Sequence, residues 1–131
     1  MTFWNTLSPQ KLSALRKPAK DLFVPLYIII LEYKTSEIRH QTLRMVQLME
    51  SPDHYPEESD DLMLHHLQTM EEKQLLFLQT LQATLQVYSD SVPEQELLLW
   101  KQLKEIQLLL FDQDWDGVYR KLQELVKAFQ I

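Results

Sequence analysis

The sequence contains no cysteine and a single glycine, Gly117, among its 131 residues. Without cysteine there can be no disulfide bond, thiolate zinc site or cysteine nucleophile, and we expect a protein of a reducing compartment, the cytoplasm. The scarcity of glycine excludes the glycine-rich loops that cradle phosphates in nucleotide-binding folds. Tight hairpins also depend on glycine, so a chain rich in leucine and glutamine favours helices over sheets.

A membrane-length apolar run and an excess of positive charge are also missing. The apolar run at residues 22–31 is about half a membrane span and contains Pro25, so we expect neither a transmembrane segment nor a signal peptide. The net charge of −6 opposes nucleic-acid binding, which depends on lysine and arginine neutralising phosphates. The 45% of hydrophobic residues is enough for a buried core, and we expect residues 1–131 to form one domain.

The first half of the chain predicts two helices. Ser8 and Pro9 are typical of a helix start, and Pro18 is expected to end or kink that short first helix. Residues 22–31 contain strand-like valine and isoleucine, but no other segment alternates like a strand that could pair with them, so we expect a helix. The second helix is expected to continue to about Glu50, either unbroken or in two pieces with a break near residues 34–36.

The middle of the chain predicts an acidic loop followed by a long helix. Residues 51–61 contain two prolines and several acidic residues and are expected to form the loop. From about Asp60 to Tyr88, apolar residues repeat at coiled-coil spacing with Gln74 as the one polar interruption. We expect this third helix, about 40 Å long at 1.5 Å per residue, to be the long central helix of the fold.

Two helices are expected at the end of the chain. Ser91 and Glu94 form a capping-box pattern, which predicts a helix from about Val92 to Phe111. This helix is apolar on more than one face, so we expect it to be mostly buried, either as the central helix of the bundle or in a subunit contact. Residues 115–129 are expected to form an amphipathic helix. Because only residues 112–114 connect it to the preceding helix, we expect these two helices to form an antiparallel hairpin. The predicted fold is therefore all-α, a bundle of four to five helices with a C-terminal helical hairpin.

The segment D-Q-D-W-D-G, which contains Asp112, Asp114, Asp116 and Gly117, resembles the first half of an EF-hand calcium loop. The twelfth position of such a loop supplies a bidentate glutamate, but the residue there is Gln123. A structural interpretation explains the same residues, with Asp114 capping the last helix and Asp116 facing its positive end. Calcium binding by the three aspartates is therefore an alternative to the main prediction, which contains no metal site and no cofactor.

Histidine and acidic residues suggest two weaker metal sites. Glu37 and His40 spell one E-x-x-H, which helical di-iron proteins use in two copies. Asp61 and His65 lie one helical turn apart. His54, His65 and His66 lie in or beside the acidic loop, and together with it they indicate a chance surface site for zinc or nickel. Because no motif is paired, we expect surface or core-edge histidines instead.

No nucleophile elbow and no glycine-built oxyanion loop are present, so we expect no enzyme. The predicted third and fourth helices carry more apolar surface than a chain of this size is expected to bury. The leading hypothesis is a non-enzymatic module, an adaptor, regulator or dedicated chaperone, that binds a partner helix or a second copy of itself. A calcium-responsive protein and a small helical enzyme with an unrecognised cofactor are the alternatives.

Overall fold

The computed structural model describes residues 7–49 and 57–131, and all regular structure within these ranges is helical. The elements are α1 (Pro9–Met49), α2 (Glu57–Gln86), a short 3-10 turn (Glu94–Glu96), α3 (Leu97–Phe111) and α4 (Trp115–Phe129). The predicted all-α bundle is confirmed. Residues 51–56 of the predicted loop lie outside the described residues, and its residues 57–61 belong to α2 instead.

The predicted break at Pro18 is wrong, because α1 is a single helix of 41 residues with both Pro18 and Pro25 inside it. Each proline removes one helical hydrogen bond and costs roughly 3 kcal/mol. On either side of Pro18, Leu15, Leu22 and Phe23 are buried, and each such side chain contributes about 1.5–3 kcal/mol. Burial of the flanking residues therefore outweighs the proline penalty, and the expected first and second helices merge.

Residues 22–31 are helical, as predicted, and no break occurs at residues 34–36. The helix positions Leu26, Ile29, Ile30 and Tyr33 in the core. Ser36 is buried as well, so the helix continues against its neighbours through the segment where two pieces were expected. The β-branched residues are compatible with this helix because their packing supplies more than their weak helix propensity costs.

The long central helix is α1, not the predicted helix at residues 60–88. α1 packs along α2 on one face and along α4 on another, where the rings of Phe23 and Phe129 lie 6.4 Å apart. α2 starts at Glu57 and ends at Gln86, so Tyr88 lies in the turn after it. The buried core draws on all four helices and that turn: Leu15, Ala19, Leu22, Phe23, Leu26, Ile29, Ile30, Tyr33, Phe77, Leu81, Tyr88, Leu99, Leu103, Ile106, Val118, Leu122, Leu125 and Phe129.

The expectation that α3 is mostly buried is wrong for the single chain. α3 lies at the edge of the bundle and buries one face, while Leu97, Leu108 and Phe111 are exposed. That α3 lies in a subunit contact stays a prediction. The predicted capping box is also not formed, since the helix opens with the 3-10 turn at Glu94 and no side chain caps that turn. Instead the Tyr88 hydroxyl donates a hydrogen bond of 3.0 Å to Glu96 at this end.

The predicted hairpin of α3 and α4 is confirmed. Two residues after the end of α3, Gln113 has a left-handed backbone, and its N–H donates to the Leu110 carbonyl while the Asp114 N–H donates to the Leu109 carbonyl. These paired bonds form a Schellman motif, which stops a helix and reverses the chain. An ion pair of 2.6 Å between Lys121 and Glu105 then joins the two antiparallel helices.

Candidate functional site: the outer face of helix α1

The aspartate-rich turn builds the start of α4. Asp114 is the N-cap residue, and its Oδ1 accepts a hydrogen bond of 2.9 Å from the Gly117 N–H. Asp116 lies in the first turn of α4 and forms an ion pair with Lys34 of α1, which lowers the pKa of the Asp116 carboxyl. Asp112 is exposed at the end of α3. The structural interpretation of Asp114 and Asp116 is therefore confirmed.

Gly117 serves this cap and does not turn the chain. Its backbone φ is not positive, as it is an ordinary residue of the first turn of α4. A Cβ atom at this position would lie 2.7 Å from Cγ of Asp114, too close for the capping carboxylate to keep its place. The single glycine of the chain is thus explained by the close approach of a carboxylate to the helix backbone.

Lys34 fixes α4 to the middle of α1. Besides Asp116, its Nζ binds Glu37 at 2.8 Å and lies 5.6 Å from the centre of the Tyr119 ring. Partial burial acts to lower the pKa of Lys34, but the hydrogen bonds to Asp116 and Glu37 outweigh it and raise the pKa. The Tyr33 hydroxyl donates to the second oxygen of Glu37 at 3.0 Å, so both carboxylate oxygens of Glu37 are engaged by protein groups.

Two adjacent histidines of α2 interact with charged groups of α1. The rings of His65 and His66 are 5.5 Å apart. Desolvation, followed by the nearby charges of His65, Arg39 and His40, lowers the pKa of His66. Sequence reasoning missed the electrostatic effect of His40 on His66 because it requires the pairing of α1 with α2. His54 lies outside the described residues.

Within residues 7–49 and 57–131, no group of three or more histidine or acidic side chains is placed to hold a metal ion. The three aspartates of the calcium alternative are not brought together. Asp61 and His65 are both exposed on α2 and belong to no such group.

No protein-family model, curated protein or solved structure matches this chain. What the protein does must therefore be inferred from its own surface. Among the helices of the described ranges, none is both long and apolar enough to cross a bilayer.

One part of the molecule lies beyond the last buried residues of α1 and α2. It comprises residues 37–49 of α1 and 60–76 of α2, and we call it the arm. No side chain of the arm is buried, whereas Ser36 and Phe77, the residues just below it, both are. Gln47 donates a hydrogen bond of 3.3 Å to Asp60 across the arm, and the Glu32–Lys73 ion pair joins the two helices lower down. The rest of the bundle, which includes α3, α4 and the whole core, we call the base.

A second, largely apolar stripe runs along α1, on the side opposite its buried residues, through the base and the arm. We call it the outer face, and its successive spacings alternate strictly between four residues and three. Ile38 and Met45 on this face are 59% and 62% exposed. This alternation is the a/d repeat of a coiled coil, with no partner helix in the described chain. The outer face consists of Val24, Ile28, Leu31, Thr35, Ile38, Thr42, Met45 and Met49.

Sequence reasoning placed the surplus apolar surface on the predicted third and fourth helices. Exposed apolar side chains do occur there, among them Leu67 of α2 and Phe111 of α3, and a groove of about 370 Å³ separates these two helices near Phe111. The outer face of α1 was missed. The signal that could have revealed it is the run at residues 22–31, which is apolar around the whole helix circumference.

Proposed function

We propose that the protein is a non-enzymatic protein–protein interaction module that presents the outer face of α1 to a helix of a partner. The observation that carries this proposal is the heptad spacing of the outer face, on which Ile28, Leu31, Ile38, Met45 and Met49 are exposed. Monomeric soluble proteins rarely expose contiguous apolar surface of this extent unless it binds something. At 1.5 Å per residue the face is about 38 Å long, which matches a partner helix of seven turns.

The spacing and the charges beside the face favour a helical partner over other ligands. Knobs-into-holes packing requires the alternating spacing of three and four that the outer face shows. A helix that lies on a membrane surface carries mainly lysine and arginine beside its apolar face. Here Glu32 and Arg39 of opposite sign follow one edge of the face, and Lys34 and Gln41 follow the other edge.

The base holds the first half of the outer face, from Val24 to Thr35, in a fixed conformation before any partner arrives. α1 is continuous through both prolines, and its inward side is buried from Leu15 to Ser36. Lys34 binds α4 through Asp116 and the Tyr119 ring, so the helix cannot roll about its axis without breaking these contacts. A preorganised face loses little conformational entropy on binding, which leaves more of the apolar burial as net affinity.

Photo-crosslinking tests the proposal in cells that make the protein. p-Benzoylphenylalanine replaces Thr42 on the outer face or, as a matched control, Gln123 on the exposed side of α4. We expect a discrete covalent adduct from position 42 only, whose partner peptide has a heptad pattern when it is sequenced by mass spectrometry. The adduct should disappear when Ile38→Asp is added. Absence of any adduct at position 42, or the same adduct at position 123, would overturn the proposal.

A further inference from the structure

We propose that the helix that covers the outer face is α1 of a second copy of this chain, paired in the antiparallel direction. This inference rests on the proposed function and names the partner of the same face. Three independent features of α1 select this arrangement: the sizes of the side chains that meet, the charges along the edges of the face, and the positions of the remaining exposed apolar residues.

The sizes of the side chains fit an antiparallel pair. In one register Thr35 meets the partner's Ile38 and Thr42 meets the partner's Leu31, so each small residue faces a large one. The same register pairs Ile28 with the partner's Met45 and Val24 with the partner's Met49. A parallel dimer in register would place each threonine against its own copy, and these two layers would then contain only small polar side chains. Layers that alternate small and large residues pack more densely.

The charges along the edges of the face select the same direction. In the antiparallel register Glu32 lies beside the partner's Arg39, and the two-fold symmetry repeats this attraction with the roles reversed. A parallel dimer would instead bring Lys34 next to the partner's Arg39, which is repulsive. Arg39 is exposed on α1, and the side chain of Glu32 is 49% exposed even though it pairs with Lys73, so both groups are accessible to a partner.

The remaining exposed apolar residues of α1 are covered in this register as well. Val46 comes to lie beside the partner's Pro25, and Leu48, which is 80% exposed, beside the partner's Tyr27. Every large apolar side chain that α1 exposes therefore occupies a core or edge position of one antiparallel pair. These side chains are Ile28, Leu31, Ile38, Met45, Val46, Leu48 and Met49.

Mass measurement by light scattering on the purified chain tests the pairing. We expect a dimer at micromolar concentration that becomes a monomer with unchanged helical circular dichroism in Ile38→Asp. The matched control is Leu108→Asp on α3, where the native leucine is exposed to a similar extent (67%) but lies off the outer face, and this variant should remain a dimer. A dimer that survives Ile38→Asp, or a chain that is monomeric at these concentrations, overturns the proposal.

Charge exchange tests the register. Arg39→Glu should weaken the dimer roughly tenfold, because two attractive pairs become two repulsive ones. Combining it with Glu32→Arg restores the attraction between copies, and Lys73→Glu is added because Glu32 also pairs with Lys73 within the chain. The triple variant should dimerise like the original chain. If Arg39→Glu has no effect, or the triple variant stays weak, the antiparallel register is wrong.

Introduced cysteines test the direction cleanly, because the chain has none of its own. Leu31→Cys combined with Thr42→Cys should give a disulfide-linked dimer on mild oxidation. These positions lie about 16 Å apart along one helix, too far for a bond within a chain. Thr42→Cys alone should give no linked dimer, and rapid linkage by this single variant would show a parallel pair and overturn the proposal.

The two proposals fail in different ways. A monomeric chain that still gives an adduct to another protein at position 42 would refute the second copy as partner but leave the interaction module standing. A chain with neither self-association nor an adduct would refute both.

Discussion

Helices α1 and α2 run through both the base and the arm, but their side chains are buried only in the base. In the base, α1 has α2 on one side and α4 on another, and residues such as Phe23, Leu26 and Phe77 are completely buried. In the arm, no side chain of α1 or α2 is buried, and half-buried polar residues such as His40, Gln47 and His66 stand where the base has core residues. Burial of apolar surface is the main stabilising term in folding, so stability is concentrated in the base. The side chains of the arm are all exposed or half-buried.

The largest expected effect contrasts one apolar residue of α2 in the base with one in the arm. Phe77→Ala removes a fully buried ring that lies 5.7 Å from the Trp115 ring, and it should lower the free energy of unfolding by about 3–5 kcal/mol. Leu67→Ala in the arm, where the leucine is 41% exposed, should cost less than about 1.5 kcal/mol. Urea unfolding followed by circular dichroism measures both values. Equal losses would show that the arm is packed as firmly as the base.

A smaller effect tests the cap that joins α3 to α4 in the base. Asp114→Ala should cost about 1 kcal/mol, because the Gly117 N–H loses its acceptor. Gly117→Ala alone should be nearly neutral, since a gain of about 1 kcal/mol in helix propensity is offset by displacement of the Asp114 carboxylate. In the Asp114→Ala background the same glycine change should stabilise by about 1 kcal/mol. Thermal unfolding of the four proteins gives the coupling, and an additive cycle would contradict the cap.

The helical class and much of the core could be predicted from the sequence, since residues such as Leu122 and Phe77 lie on stripes with helical spacing. Two features could not. Whether Pro18 ends a helix depends on how tightly Leu15 and Phe23 pack, and packing is a property of the assembled bundle. On α1, two apolar stripes with the same spacing lie on opposite sides, one containing Leu26 and the other containing Ile28. Periodicity identifies such stripes, but it does not say which one faces the core.

The candidate sites also differ in whether they depend on residues close in sequence or on the packing of separate helices. The cap at Asp114 was predictable because it depends on residues close in sequence. The Lys34–Asp116 ion pair and the electrostatic effect of His40 on His66 were not, because each requires that separate helices be placed side by side. The outer face belongs to this second kind. Its residues all lie on one helix, but whether they are exposed depends on where the other helices pack against α1.

Acidification should separate the arm from the base. The folded-state pKa of His66 is lowered from 6.5, so between pH 6.5 and this lower pKa the unfolded chain binds more protons than the folded chain. The arm therefore loses stability as pH falls through this range, and the loss is complete once pH lies below the folded-state pKa. Asp116 has a folded-state pKa lowered from 3.8, so its contribution to the base is present above that pH and is lost only as pH falls towards the folded value. The arm should therefore loosen first.

Hydrogen exchange measured by mass spectrometry resolves the two regions. Between pH 7 and about pH 5, amides of residues 60–76 should lose protection relative to those of residues 77–86, after correction for the intrinsic rate. His66→Asn should remove most of this difference, whereas Asp116→Asn should leave it unchanged. Loss of protection in both regions at the same pH would mean that the arm and the base unfold as one unit.

The last prediction is that calcium has no effect on the turn that starts α4. Trp115 lies between Asp114 and Asp116, and its ring packs 5.4 Å from Tyr33, so its fluorescence reports any change in this turn. The Asp114 carboxylate holds the Gly117 N–H, and Asp116 holds Lys34. A calcium ion would have to displace both contacts, which belong to the structure of the base. We expect no change in Trp115 fluorescence up to millimolar calcium, while Lys34→Met, which frees Asp116, serves as the sensitised control. A saturable change in the unmodified chain would restore the calcium alternative and would make the turn a switch within the base.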